Sequence, residues 1–145
     1  MKRMFVAIVS MLALVACESS KPTEEVPFEV AKNYFFKSNL DILPASPKIT
    51  TEEMFNNLFG MATIMGKDGK PTPIDFSKQF VLAVVLPVTD SETEINPMKV
   101  EATSDSLFYT YQVKVGEKQS FSIQPISIII LDKQYEDKEV VLCEE

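Results

Sequence analysis

Apolar and polar residues alternate with a period of two over most of the chain beyond residue 27, and that period predicts strands. Phe28, Val30, Tyr34 and Phe36 share one parity while Glu29, Asn33 and Lys37 hold the other; Lys32 interrupts the apolar face, which predicts an edge strand. Phe80 to Leu86 is short and continuously apolar, as expected of a strand covered on both faces at the centre of a sheet. Met98, Val100 and Ala102 alternate with Lys99, Glu101 and Thr103, and Leu107, Tyr109, Tyr111, Val113 and Val115 all point away from Phe108, Thr110, Gln112 and Lys114. Gly116-Glu117-Lys118 is expected to turn the chain back into Phe121 and Ile123 as an antiparallel hairpin. Across Pro125 the apolar parity moves to Ile126, Ile128 and Ile130, which a bulge or burial on two faces would require, and a last strand is expected over Val140 to Cys143.

One segment breaks the period. Met54, Phe55, Leu58, Phe59 and Ala62 fall at helical spacing behind Thr50-Thr51-Glu52-Glu53, which predicts a short helix with Thr50 as N-cap, Glu53 reaching back and Gly60 ending it. Residues 61–73, with Gly66, Gly69, Pro71 and Pro73, predict a long exposed loop. The sum is an α+β domain: a curved, mostly antiparallel sheet of six or seven strands with one short helix.

The N-terminus follows another logic. Lys2 and Arg3 precede an uncharged stretch from Phe5 to Ala16 that would span about 18 Å as a helix, too short for roughly 30 Å of hydrocarbon. The order of basic, apolar and small residues is that of an export signal, and Leu14-Val15-Ala16-Cys17 resembles the bacterial lipobox. The resemblance implies a signal peptide over residues 1–16 and diacylglycerol on the Cys17 sulfur. The alternative, a secretory signal with Cys17 paired to Cys143, leaves the leucine three before the cysteine without a reason. With Cys17 lipidated, Cys143 has no partner within the chain and is expected to be buried. Residues 17–27 then form the lipidated cysteine and a solvated tether, and residues 28–145 a single domain. Such an anchor places the protein at a bacterial outer membrane, on the periplasmic or the cell-surface side.

Composition narrows the function classes. Without Lys2 and Arg3 there remain 12 basic against 21 acidic residues, a net charge of −9, which repels nucleic-acid backbones. The sequence contains no histidine, so neither a Ser-His-Asp site nor a histidine-ligated metal can be built. Asp90, Glu92, Glu94 and Glu101 match four places of a calcium loop, but Ile95 stands where glycine is needed, and an acidic, solvated connection is the better account. No motif marks a catalytic pair of carboxylates, and no catalytic residue, metal or cofactor is expected. The candidate partner-binding surface is the loop carrying apolar Met61, Ile64 and Met65 beside Lys67, Asp68 and Lys70; the same three apolar residues could instead fold under it and cap the core.

Pro73-Ile74-Asp75-Phe76-Ser77-Lys78 running into Phe80-Val81-Leu82-Ala83-Val84-Val85, behind Glu52-Glu53-Met54-Phe55 and Leu58-Phe59, resembles a PrcB-type C-terminal domain. Pro87-Val88-Thr89-Asp90 departs from the glycine-rich segment that family tends to show there. The resemblance implies an exported lipoprotein associated with a surface protease complex, and the chain also looks similar to small lipoproteins of Bacteroides-type bacteria. If Asp75 follows the family, it fixes the start of the strand by accepting backbone hydrogen bonds. These readings give an expected function: a lipid-anchored, non-catalytic module that binds an envelope protein and stabilises or regulates an envelope complex. The competing expectation is a small-ligand or glycan binder.

Overall fold

A computed structural model describes residues 23–37 and 43–145. The expected signal peptide and the expected lipidation site, Cys17, lie outside them. The described chain is mostly β, with mostly antiparallel sheets and one short α-helix, but its ten strands form three sheets where one sheet of six or seven strands was expected.

The backbone of the fold is one long hairpin bent double. β6 (Gln79–Val85) pairs with β9 (Ile126–Asp132), and β7 (Thr89–Ala102) pairs with β8 (Ser106–Ile123), in a single run of antiparallel register from Gln79↔Asp132 through Val85↔Ile126 and Thr89↔Ile123 to Ala102↔Leu107. Pro87 and Pro125 lie at the crease, where no ladder bond needs their missing N–H. Leu86 N donates to Pro125 O (3.0 Å) across it. Folding at the crease sets the two halves face to face as two sheets.

The first sheet has the order β1-β7-β8-β10, with β1 at Glu24–Glu25 and β10 at Glu139–Glu144; the second has the order β2-β9-β6-β4, with β2 at Glu29–Ala31 and β4 at Lys48–Ile49. Phe80, Leu82 and Val84 of β6 and Ile129 and Leu131 of β9 meet Val100, Ala102, Leu107, Tyr109 and Tyr111 between the sheets. The opposite parity, Val81, Ala83, Ile128 and Ile130, faces a second core under α1 (Glu52–Leu58), β3 (Tyr34–Phe36) and β5 (Phe59–Met61). Burial on both faces therefore explains the continuous apolar runs of β6 and β9 and the parity change after Pro125. Each such Leu, Ile or Phe contributes roughly 1.5–3 kcal/mol of burial.

Several local expectations change. The helix is capped by Thr51, whose side chain accepts from Met54 N, one residue later than expected, and it stops at Leu58 because Phe59 to Met61 pair with β3. Gly60 is no helix terminator; it lies under the ring of its cross-strand neighbour Phe35. Gly116-Glu117-Lys118 does not turn the chain, since β8 runs through it, and the acidic connection before Met98 is the first half of β7. β8 sets nine residues, Val115 to Ile123, opposite five of β7, so the surplus is absorbed in bulges.

Residues 24–26, expected to belong to a solvated tether, are part of the fold: Glu24 and Glu25 pair with Ala102 and Glu101, and Val26 is 1% exposed in the first core. Phe28 faces that core too, whereas Tyr34 and Phe36 face the second, because the chain turns at Asn33 (φ 65°) between β2 and β3. β2 is an edge strand, as its lysine-broken pattern predicts. Cys143 is buried as expected but is disulfide-bonded, not without a partner; the only other cysteine in the sequence is Cys17.

Candidate functional site

Five of the six residues expected to meet a partner lie in the loop from β5 to β6, and the sixth, Met61, is the last residue of β5, paired with Tyr34. Met61, Ile64 and Met65 are 69%, 64% and 104% exposed, so they do not fold under to cap the core. Lys67, Asp68 and Lys70 are exposed beside them.

Hydrogen bonds hold the loop to one residue that sequence reasoning missed. Asn33 adopts the left-handed backbone that asparagine tolerates better than most residues. Its side-chain Nδ2 donates to the carbonyls of Asp68 (2.7 Å) and Lys70 (2.9 Å), and its own carbonyl accepts from Ala62 N (2.8 Å). Inside the loop, Ile64 N donates to Gly69 O (2.9 Å) and Gly69 N to Gly66 O (3.3 Å). Gly66 has φ 126°, and a β-carbon on Gly69 would stand 1.6 Å from the Ile64 carbonyl oxygen. The far end is tied by Thr72, which pairs with the Lys32 backbone and accepts from the Tyr34 hydroxyl. The apolar tip is thus held in place before anything docks. The available signal was an asparagine beside the lysine that breaks the Phe28–Phe36 pattern, a site where left-handed backbone fits.

Beneath Met61 opens a cleft of about 380 Å³ between α1 and residues 70–76. Tyr34, Phe55, Ile74 and Phe76 form apolar walls, and Glu52 and Lys70 are its charged lining residues. Tyr34 packs edge-on against Phe55 with ring centres 5.1 Å apart, and Phe76 lies 5.7 Å from Phe55. Burial raises the Tyr34 phenol above its ordinary pKa, so it remains a protonated donor.

Asp75 starts β6 in the way expected of it. Its Oδ1 accepts from Ser77 N (3.0 Å) and from the Ser77 hydroxyl, and its backbone carbonyl accepts from Lys78 N and Gln79 N. The Ser77 hydroxyl, then the Ser77 amide, hold its carboxyl below the ordinary carboxylate range.

A carboxylate mechanism would need two acidic side chains facing each other across a cleft. The cleft beneath Met61 has one, Glu52. Glu29 and Asp132 share a shallower depression, but Asp132 is occupied as the N-cap of the 3-10 turn Lys133–Tyr135, accepting from Gln134 N. Asp90 of the acidic stretch pairs with Lys118 (3.1 Å) on adjacent strands. Among the described residues no group of three or more His, Cys, Asp or Glu is placed to hold a metal ion, and no helix is long and apolar enough to cross a membrane.

Comparison with protein-family models, with characterised proteins and with solved structures finds no match to this chain. The likeness to PrcB-type domains therefore rests on the residues quoted for it.

Proposed function

We propose that this protein is a lipid-anchored, non-catalytic interaction module of the bacterial cell envelope, which docks a partner protein on the loop carrying Met61, Ile64 and Met65. The observation that carries the reading is the loop itself: large apolar side chains exposed to solvent on a backbone fixed by Asn33, Gly66 and Gly69. Exposed apolar groups on a preorganised support are what a docking surface needs, because little ordering entropy remains to be lost on binding.

Position supports the same reading. The described chain begins at Thr23, beside Ala102 and the Tyr135 turn, past the end of β9. The loop hangs from Asn33, next to the start of β9 at Ile126 to Ile128. Six residues of strand separate those levels, about 20 Å. The loop therefore lies about one strand length from Thr23, leaving its apolar tip clear of the point where the described chain begins. The Pro73–Lys78 likeness to PrcB-type domains favours a protease or another envelope complex as that partner.

The test is capture from detergent-solubilised envelope by the tagged mature protein, compared with an Ile64→Ser/Met65→Ser variant of unchanged melting temperature. A partner held by the wild type and lost by the variant supports the reading. Equal capture by both, or none at several salt concentrations, removes it.

One observation favours a second reading, a small-ligand or glycan binder: the aromatic cleft beneath Met61 has a volume in the range of ligand sites. Phe76→Ala would abolish ligand-induced stabilisation in that case and leave capture by the Met65 tip intact.

A further inference from the structure

Among the described residues the two facing sheets end in four outer strands, and three of these are blunted as edges usually are. β1 and β4 are two residues long, and β2 is three residues long and is followed by Lys32 and the turn at Asn33. β10 is different. Its six residues, Glu139 to Glu144, hold unbroken parallel register with β8, and the strand contains no proline, lysine or bulge. The amides of Glu139 and Glu145 donate to the carbonyls of Asp105 (2.9 Å) and Tyr111 (2.8 Å) on the β8 side. By alternation the N–H and C=O groups of Val140, Leu142 and Glu144 point away from β8, where no described strand meets them.

The surroundings of that open edge select its occupant. Leu142 walls an apolar cleft of about 240 Å³ together with Pro44, Pro47, Val85 and Leu86. The cleft opens between the sheets because β4 follows β6 only as far as Lys48 opposite Leu82, with one further bond from Ala83 N to Pro47 O. A residue set opposite Leu142 on an added strand would point the same way as Leu142, into this cleft. Glu139, Glu144 and Glu145 flank the apolar stretch; all three are exposed, and among the described residues none pairs with a cation. Like charges directly opposite one another destabilise a strand pair. A second copy paired about Leu142 would set Glu139 opposite Glu145, so a strand carrying basic residues is the better fit.

We propose that the free edge of β10 accepts an extended segment of a partner protein as a further strand, with an apolar residue entering the cleft at Leu142 and Lys or Arg residues opposite Glu139, Glu144 and Glu145. Backbone hydrogen bonds to Val140, Leu142 and Glu144 supply the pairing, and the cleft and the carboxylates supply the selectivity. The surface is separate from the Met65 loop, so Ile64→Ser/Met65→Ser should leave it unaltered.

The probe is the synthetic peptide acetyl-KKTLTVK-amide, which in antiparallel register sets its leucine opposite Leu142 and its lysines opposite Glu145, Glu144 and Glu139. Titrated into the labelled protein, it should give saturable amide shifts at Val140, Leu142 and Glu144 and slow their hydrogen exchange. Acetyl-EETLTVE-amide should bind about tenfold more weakly, because three cross-strand pairs turn from attraction to repulsion. Glu139→Lys/Glu144→Lys, changes at exposed positions, should reverse that preference. Leu142→Pro keeps every charge and every hydrogen bond to β8 but removes the central outward N–H, so it should abolish binding with the fold intact. Absence of saturable shifts along β10, equal affinity for the two peptides, or undiminished binding by Leu142→Pro at unchanged melting temperature would each overturn the proposal. Shifts at the same amides that grow with protein concentration before any peptide is added would assign the edge to a second copy and overturn it as well.

Discussion

The ring of Phe35 lies so close over Gly60, its directly opposed neighbour in the β3–β5 pair, that a β-carbon on residue 60 would stand 2.4 Å from Phe35 Cζ. Gly60→Ala must therefore displace the ring. Because Phe35 is half exposed, the ring can swing outward, and the expected cost is about 1 kcal/mol, at the low end for overpacking. Urea denaturation of Gly60→Ala alone and in a Phe35→Ala background checks the cause. In the background variant the cost should vanish, since nothing is left to collide with; an undiminished cost would place the strain elsewhere.

That contact also shows where sequence patterns stop being informative. Alternation exposed the strands with two distinct faces, and the continuous run Phe80 to Leu86 revealed the doubly covered centre of a sheet, because burial acts on each side chain independently of what covers it. Gly60 and Gly116 misled for one reason: a glycine records that space or conformation is needed, not which. In Gly60 the need is room for a ring from another strand. In β8 the strand continues through Gly116 within its bulged stretch, next to the Glu92 side chain of β7. The crease at Pro87 and Pro125 was equally hidden, since bending one hairpin into two facing sheets is a long-range event that no local period encodes. Of the candidate site, the exposed apolar tip was legible in composition, whereas its support by Asn33 depends on residues 35 and 37 positions away.

Asn33 allows a sharper separation of effects. Asn33→Ala loses two side-chain hydrogen bonds and also places a β-carbon residue without that stabilisation in left-handed backbone, for a combined cost of about 2 kcal/mol. Asn33→Gly loses the hydrogen bonds but suits the backbone, and should cost about half as much. Hydrogen exchange at Ile64 and Gly69 should accelerate in both variants while β6 and β9 stay protected. Protection at Ile64 that survives both substitutions would show the loop to be held by its own turns.

The Asp75 carboxyl titrates below its ordinary 3.8 when folded, chiefly because the Ser77 hydroxyl and then the Ser77 amide hydrogen-bond the charged form. A folded-state pKa below the unfolded value means stability that is present above the unfolded pKa and lost as pH falls through the folded one. Asp75→Ala should therefore melt below the wild type at neutral pH, and the two melting curves should converge as the pH is lowered from about 5 to about 2. The group is fully exposed, so the difference will be small and sensitive to salt. A gap that widens on acidification would contradict the assignment.

The bonding of Cys143 tests the proposed lipid anchor. Cys143 is buried in β10 and disulfide-bonded, and one other cysteine, Cys17, exists to pair with it within the chain. A sulfur bonded to diacylglycerol cannot also hold a disulfide, so the anchored product and the bridged product are exclusive. The anchored reading expects an intact mass, on the native membrane fraction, that carries acyl groups on the mature N-terminal cysteine. Two thiols that appear only after reduction, with no acyl mass, would replace the anchored reading with a secreted, disulfide-closed domain.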